Sequence, residues 1–491
     1  MNGFPTALYG ARELAELDRR ADGRGLPGDL LMERAGKAAF AAIRARWPDA
    51  RRWRVYAGGG NNGGDGYVVA RLARKSGFEV ALIALKPPRE DSPAATAASA
   101  YREAGGEIVA PKKTAAHEAD LMVDALFGIG LSRAPEGAFA EAIEAMNAAP
   151  APTVAMDIPS GLIADTGATP GPAVRAALTV TFIGLKPGLF TGAGSSITGE
   201  LVFASLDVPE EVADGLPVRA QRVTQAEVAR GLPPRVHAAH KGLYGHVLVV
   251  GGDHGTGGAV RLAGEAAQRV GAGLVSVVTR PEHVAPLLAA RPELMVHACP
   301  DGNLPGALSE RSTVLALGPG LGQGEWGKRL WEAALALDKP VVVDADALNL
   351  LAQSPRKRGN WILTPHPGEA ARLLDTTVAE IEKDRFAALE KLVSRYDAVV
   401  VLKGAGTLVG APGAEPPWLC DRGNPGMASG GMGDALTGAI AGLLAQRLAA
   451  TVAARLGVWL HAAAGDRAAA AGERGLLAGD LVAELRATAN P

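Results

Sequence analysis

Residues 423–445 read GNPGMASGGMGDALTGAIAGLLA. Gly430, Gly431 and Gly433 lead into Asp434, after which Leu436, Ile440, Leu443, Leu444 and Leu448 recur at helical spacing. A helix must begin here, and its free backbone N–H groups and positive dipole end form a site for an anion. Glycines without Cβ let a phosphate approach the main chain closely. Asp434 falls in the first turn, where the dipole favours the carboxylate, so it is placed to take a proton beside the bound anion. Glycine turns before apolar helices commonly serve packing alone. The acid at the helix start and the second turn signal, Asn424-Pro425-Gly426, point instead to phosphoryl-transfer chemistry.

The rest of the chain alternates strand and helix patterns. Residues 12–45 hold two helical stretches broken at Gly25-Leu-Pro-Gly28, read as packing elements. Residues 53–57 predict a strand, 58–66 a loop, 67–75 a helix and 80–85 a second strand, a βαβ unit. The loop, GGGNNGGDG, combines glycines with Asn61, Asn62 and Asp65, whose side chains a pure turn does not need. It is not a dinucleotide fingerprint. Predicted strands at 121–123 and 153–156 lead into Asp124 and into Asp157 followed by IPSGL; further strands fall at 178–184 and 200–204. In doubly wound sheets such strand ends converge on one crevice, which would gather Asn62, Asp124, Asp157 and Ser160. An all-oxygen set suits a hard cation. Lys186, just past a strand, carries less weight because a strand-end lysine is commonly solvated.

Residues 207–234 are polar and punctuated by Pro and Gly, the best domain boundary. The chain then restarts as α/β. Strands are expected at 247–250, 274–279, 313–317, 341–343, 361–364 and 398–402, with GPGLG, DADALN, PHPGE and KGAGT at the ends of the last four. Lys403, Gly404, Ala405, Gly406 and Thr407 make a phosphate contact in kind, though no Walker A loop is present. His366 and Glu369 share a loop in which Glu369 is placed to orient Mg²⁺ through water.

Composition narrows the partners. With 50 Lys and Arg against 52 Asp and Glu, no basic field argues for nucleic acid. Two cysteines, Cys299 and Cys420, exclude a disulfide framework and fit a reducing compartment. Neither a secretory signal nor a long uninterrupted apolar stretch is evident, so we expect a cytoplasmic protein with small-molecule partners and no membrane association.

Residues from about 8 to 205, with GNNGGDG, DALFGIGLSR, DIPSG and GLKPGL, resemble the NAD(P)H-hydrate epimerase family. Residues from about 235 to 488, with HKG, GPGLG, DADALN, TPHPGEA, LKGAGT and NPGMASGGMGD, resemble the nucleotide-dependent NAD(P)H-hydrate dehydratases of the ribokinase-like superfamily. The resemblance implies two three-layer αβα domains, a Rossmann-like epimerase over 1–218 and a ribokinase-like dehydratase over 219–491. It implies repair of NADH or NADPH that has taken up water on the nicotinamide ring. The first domain would interconvert the R and S hydrates; the second would phosphorylate the ring hydroxyl of the S form from ADP or ATP and eliminate the phosphate.

Carried onto this sequence, the resemblance puts hydrated cofactor on Asn61, Asn62, Gly63, Gly64, Asp65 and Asp157 in the first domain. Gly128, Ile129, Gly130, Leu131, Ser132, Arg133 and Ala134 would join them. K⁺ would lie on Asn62, Asp124 and Ser160. Asp157 is the acid/base candidate, with Lys186 a weaker one. In the second domain Ala259, Gly322, His366 and Asp434 would contact the hydrate, and Lys403 to Thr407 with Gly433 would hold ADP or ATP; Mg²⁺ is the cofactor expected there. Asp434 would be the catalytic base. We expect a homo-oligomer. Two departures stand out: Gly251-Gly252-Asp253 where many relatives have Gly-Gly-Ser, and His366 where sugar and vitamin kinases often have Asn. The competing reading, a small-molecule kinase with an accessory Rossmann-like domain, is disfavoured by His366.

Overall fold

The computed structural model describes residues 4–109, 119–413 and 416–490. The chain divides into two compact units, residues up to 220 and residues from 221 onward. In the first, β1 (Ala7–Leu8) bridges Leu185. A six-stranded parallel sheet follows, built from β2 (Arg52–Ala57), β3 (Glu79–Ala84), β4 (Leu121–Ala125), β5 (Thr153–Met156), β6 (Leu178–Phe182) and β7 (Glu200–Ala204). Its spatial order is β3-β2-β4-β5-β6-β7. The chain therefore winds one way from β2 to β3 and the other way from β4 onward. The crevice outside the carboxyl ends of β2 and β4 is the topological switch point, where ligands bind in such sheets.

The helix after β2 runs Asn61–Lys75, so it starts six residues before the expected boundary. GNNGGDG is its first two turns and not a loop. Glycine reads as a helix breaker, but here it permits contact. A Cβ at Gly63 would lie 2.0 Å from the Gly58 carbonyl oxygen, and one at Gly64 would lie 2.4 Å from Met32 Sδ. Close packing against main chain and Met32 outweighs a helix-propensity cost of about 1 kcal/mol per glycine.

In the second unit the sheet order is β8-β17-β16-β15-β14-β13-β12-β9-β10-β11. The strands are β8 (Ala220–Arg222), β9 (His246–Val250), β10 (Leu274–Thr279), β11 (Met295–Ala298), β12 (Val314–Leu317), β13 (Val341–Val343), β14 (Trp361–Leu363), β15 (Val399–Leu402), β16 (Thr407–Gly410) and β17 (Trp418–Cys420). Pairing is parallel except for β15 with β16 and β16 with β17. Here the switch point lies between β9 and β12. The sequence pattern did not reveal β8, β11, β16 or β17, which are short or lie near sheet edges. The polar segment 207–234 carries order of its own: a 3-10 turn at Glu210–Ala213, strand β8 and a helix at Gln225–Gly231, anchored by buried Val212 and Val228.

The helix expected from residues 423–445 runs Met432–Ala445 and is buried on all sides from Ala435 to its end. Its Leu and Ile face is thus only part of the contact. Gly438 and Gly442 let its backbone touch helix Gly257–Arg269: a Cβ at Gly438 would meet the Ala263 carbonyl oxygen at 1.9 Å, and one at Gly442 the Ala267 oxygen at 2.6 Å. These glycines set the closest approach of the two helices and so the position of Asp434. No described helix is long and apolar enough to cross a membrane.

Candidate active sites

In the first unit the switch-point crevice gathers the expected oxygens. Asp124 ends up inside β4 and fully buried. Its Oδ1 accepts from Ser160 Oγ at 2.6 Å and its Oδ2 from Ser160 N–H at 2.7 Å. Ser160 Oγ also accepts from Phe127 N–H at 2.9 Å, and Asn62 Nδ2 donates to the Phe127 carbonyl at 2.8 Å. Asn62 Oδ1 is buried with no hydrogen-bond partner. Burial pushes the Asp124 carboxyl up to about 6 against the three hydrogen bonds that favour its charge. An orphaned oxygen beside a buried carboxylate is the donor set a hard monovalent cation would satisfy. A Cβ at Gly128 would lie 3.4 Å from Asn62 Cβ, which brings the start of the 128–134 loop against the helix start. Ser132 and Arg133 are exposed on that loop.

Asp157 occupies a left-handed backbone conformation, φ 63°, unusual for a residue other than glycine. Its Oδ1 accepts from Phe182 N–H at 3.1 Å, from Thr181 Oγ at 3.3 Å and from Lys186 Nζ. Lys186 is not a solvated lysine. It is 1% exposed, and Nζ also donates to Thr181 Oγ at 2.9 Å and the Phe182 carbonyl at 3.0 Å. The sequence pattern could not show that the 184–188 turn folds the side chain inward. Asp65, buried on helix Asn61–Lys75, is held well above the usual carboxylate range by burial and by the charges of Asp157 and Asp18.

In the second unit the glycine-rich stretch performs as its sequence requires. The first bond of helix Met432–Ala445 runs from Ala435 N–H to the Gly431 carbonyl at 3.0 Å, leaving the N–H groups of Met432, Gly433 and Asp434 without a helix partner. Lys403 stands directly before them. A Cβ at Gly433 would lie 3.4 Å from Lys403 Nζ, so only glycine leaves the space between ammonium and helix start open to a phosphate. Lys403 Nζ donates to Asp344 Oδ1 at 2.9 Å and lies 3.6 Å from Glu369 Oε2. The other oxygen of Asp344 accepts from Thr437 Oγ at 2.7 Å. Burial opposes the Lys403 charge, but Asp344 and Glu369 outweigh it and raise its proton affinity. Asp434 is pushed up to about 7, chiefly by burial and then by Asp344, with Lys403 pulling the other way.

His366 caps helix Pro367–Leu374: Gly368 N–H donates to Nδ1 at 3.0 Å and Glu369 Oε2 accepts from His366 N–H at 2.8 Å. With Nδ1 an acceptor, the ring's own proton sits on Nε2, 3.5 Å from Glu369 Oε1, and partial burial together with the Lys403 charge lowers the ring's proton affinity. Gly322 N–H donates to Asp346 Oδ2 at 2.9 Å, and Ala259 sits half-buried one turn into helix Gly257–Arg269. The 403–407 loop is buttressed by Arg385, which is 1% exposed and donates to the carbonyls of Leu402 and Lys403. Thr407 Oγ closes the loop on the Gly404 carbonyl at 2.9 Å. Sequence reasoning missed Asp344 as the partner of Lys403, and Thr437, Arg385 and Asp18 altogether. The strand-end acid of DADALN was the one signal available for them.

This ribokinase-like α/β unit thus sets a half-buried lysine and a carboxylate raised to about 7 beside a helix N-terminus, an arrangement that suits a phosphate and a proton acceptor side by side. Comparison with known proteins agrees. Residues 247–486 match the family described as NAD(P)H-hydrate dehydratase, and residues 28–188 match the YjeF-related protein N-terminus. The bifunctional NAD(P)H-hydrate repair enzyme Nnr of Escherichia coli (strain K12) is 51% identical, over 99% of this chain and 95% of its own. The solved ADP/ATP-dependent NAD(P)H-hydrate dehydratase of Bacillus subtilis, co-crystallized with ATP/Mg²⁺, is 32% identical over 54% of this chain and 96% of its own, with a TM-score of 0.50. A ribokinase-like superfamily protein of Enterococcus faecalis aligns over 55% of this chain and 96% of its own, with a TM-score of 0.51 and 29% identity. The chain belongs to the family of bifunctional NAD(P)H-hydrate repair enzymes.

Proposed function

We propose that the first domain (1–218) epimerises the hydrates of NADH and NADPH, and that the second (219–491) dehydrates the S form at the expense of ADP or ATP. The observation that carries this reading is Asp434, raised to about 7 and seated in the first turn of a helix whose open N–H groups face the Lys403 ammonium. There the carboxylate takes the proton of the ring hydroxyl while the helix start and Lys403 hold the transferring phosphate. Gly404, Ala405, Gly406, Thr407 and Gly433 line the nucleotide side. Ala259, Gly322 and His366 contact the hydrate, with the Nε2–H of His366 as donor.

In the first domain, residues 61–65, 128–134 and Asp157 hold the dinucleotide, and Asn62, Asp124 and Ser160 hold K⁺. The orphaned Asn62 Oδ1 supports the cation, which would neutralise the buried Asp124. In the second domain no group of three or more His, Cys, Asp or Glu gathers into a cation site among the described residues. Mg²⁺ is therefore proposed as a companion of the nucleotide phosphates, reached by Glu369 through water, in keeping with the few carboxylates that ion needs. The chain is proposed to act in the cytoplasm as a homo-oligomer; its two buried cysteines are free, and light scattering tests the assembly.

The decisive experiment incubates the protein with hydrated NADH and ADP, and separately ATP, and follows return of the NADH absorbance band. Recovery with one or both donors is expected. No recovery with either would remove the dehydratase reading.

A further inference from the structure

The first site holds more acid than its lysine can balance. Among the described residues Lys186 is the cation at its centre, and Asp157, Asp65 and Asp18 all act on it or on one another electrostatically. Three carboxyls around one ammonium cannot all ionise at low cost, so the cluster retains a proton at neutral pH. Which carboxyl is free to exchange it follows from the contacts. Asp157 is occupied, since its Oδ1 takes three donors, from Lys186, Thr181 and Phe182. Asp65 lies inside, 8% exposed. Asp18 alone of the three keeps an exposed surface, although the protein packed around it still raises its carboxyl.

Asp18 is delivered to this place by helix Ala11–Asp22. Leu14 and Leu17 of that helix are buried and pack on Gly184, where a Cβ would lie 2.7 Å from Leu14 Cδ2 and 3.5 Å from Leu17 Cδ1. Asp18 stands one turn after Leu14 on the same face, and Gly184 is two residues from Lys186. The charged groups facing Asp18 are thus Asp157 and Lys186 from β5 and the turn after β6, with Asp65 from the helix after β2. Its neighbours Arg19 and Arg20 turn away: both bond Glu16, and Arg20 also bonds the carbonyls of Val212 and Asp214.

We propose that Asp18 is the proton-exchanging carboxyl of the epimerase site and that Asp157 is the fixed counter-charge of Lys186. This deepens the epimerase reading and rests on it. The carbon to be inverted bears a hydroxyl and adjoins the ring nitrogen. Its inversion proceeds with balance if the hydroxyl loses its proton to Asp18, the carbon–nitrogen bond breaks as the carbonyl forms, and the nitrogen gains the proton that the three-carboxyl cluster retains. Rotation, re-addition of nitrogen and return of both protons complete the exchange with no oxidant or reductant. The protein packed around Asp18 and then the Asp157 charge raise its carboxyl to about 6, so it is ionised and ready to accept at neutral pH, while burial holds the Asp65 carboxyl well above the usual range.

The test supplies the R hydrate to the full-length chain and measures conversion to the S form by chromatography, with dehydration of the S form in the same preparation reporting that the protein is folded. Asp18→Asn should lower the epimerase kcat roughly 10²-fold or more with KM little changed, and should abolish the rise in rate through about pH 6. Asp18→Glu should restore part of the rate and the pH dependence. A rate within threefold of wild type, or a reduced rate with the same pH limb, would overturn the assignment and leave the epimerase reading standing. Failure of the wild-type chain to convert the R form would instead remove that reading. A thermal scan of Asp18→Asn separates loss of a group from loss of the fold: an unchanged first-unit transition with lost rate supports the proposal, and rate lost only in proportion to unfolding counts against it.

Discussion

Each unit centres its site on one enclosed lysine among three carboxyls, yet the two arrangements differ in what the lysine faces. Lys186 spends all its donors on protein: Asp157, Thr181 Oγ and the Phe182 carbonyl. Lys403 has one direct carboxylate partner in Asp344, a second at 3.6 Å in Glu369, and looks onto the open N-terminus of helix Met432–Ala445. The first lysine is therefore a structural counter-charge that sets the proton balance of its neighbours. The second is positioned for an incoming phosphate. On the functions proposed above, the same charge ratio would support proton exchange in one fold and phosphoryl transfer in the other, according to whether a helix start stands opposite the ammonium.

The largest effect should come from removing the group that the second arrangement activates. Asp434→Asn should lower dehydration of the S hydrate roughly 10²–10⁴-fold, the range for loss of a general base, while R-to-S conversion by the first unit stays intact. If dehydration survived, Lys403 and the helix start would be sufficient without the carboxylate, and the contrast between the sites would collapse to a difference in anion binding.

Next in size is the loss of Lys186. The side chain is 2% exposed and its partner Asp157 15%. Lys186→Met leaves a nearly buried carboxylate without its cation, a change that typically costs about 3–5 kcal/mol. The first unit's thermal transition should fall by roughly 10 °C with the second unit's transition unmoved, read by scanning calorimetry. A shift of only a degree or two would mean that Thr181 and Phe182 suffice to hold Asp157, and that Lys186 is not the counter-charge described above.

Part of this contrast was legible before the fold was known, and part was not. Val341–Val343, Thr153–Met156 and Leu274–Thr279 fall where β-branched runs place them, because buried parallel strands show as continuous apolar stretches. The helix start beside Asp434 was legible because glycine, acid and helical periodicity coincide within a dozen residues. The helix start at Asn61 was not, since the glycines that favour a turn locally are there to admit Gly58 and Met32. Lys186 and Asp18 were opaque for a related reason. Whether a polar side chain points inward depends on which element packs over it, and Leu14 against Gly184 is a contact between residues 170 positions apart in sequence. Asp344 was visible as a strand-end acid, but its pairing with Lys403 and Thr437 joins three separate elements.

A smaller effect should separate the role of Lys403 in binding from its influence on Asp434. Asp434 must be ionised to act as base, so dehydratase kcat should rise as pH increases through about 7. Lys403 lowers the Asp434 proton affinity. Lys403→Gln should therefore move that limb to higher pH, costing roughly tenfold in rate at neutral pH for each unit of displacement, in addition to a higher KM for ADP or ATP. A limb that stayed in place while KM rose would show that the ammonium serves the phosphate only.

The smallest expected effect tests whether the second site's charge set is local. Asp253 follows the Gly251-Gly252 turn after β9. It accepts from Arg280 Nε at 2.8 Å, and its Oδ2 stands 2.6 Å from where a Cβ of Gly322 would be. The Arg280 guanidinium is also held over the Trp326 ring, 4.4 Å from its centroid, and donates to the Pro300 carbonyl. Asp253→Ser thus leaves the arginine two of its three supports, and the pair is half-open to solvent, where such bridges contribute at most about 1 kcal/mol. Neither stability nor kcat should change by more than about fivefold in the corresponding equilibrium or rate. The kcat–pH limb near 7 should stay where it is, because the charges acting on Asp434 are those of Asp344, Lys403, Asp346 and Glu369. A displaced limb in Asp253→Ser would mean that the acid beside Gly322 reaches the base after all. The compact lysine-centred cluster would then have to be redrawn to include the β9 and β12 loops.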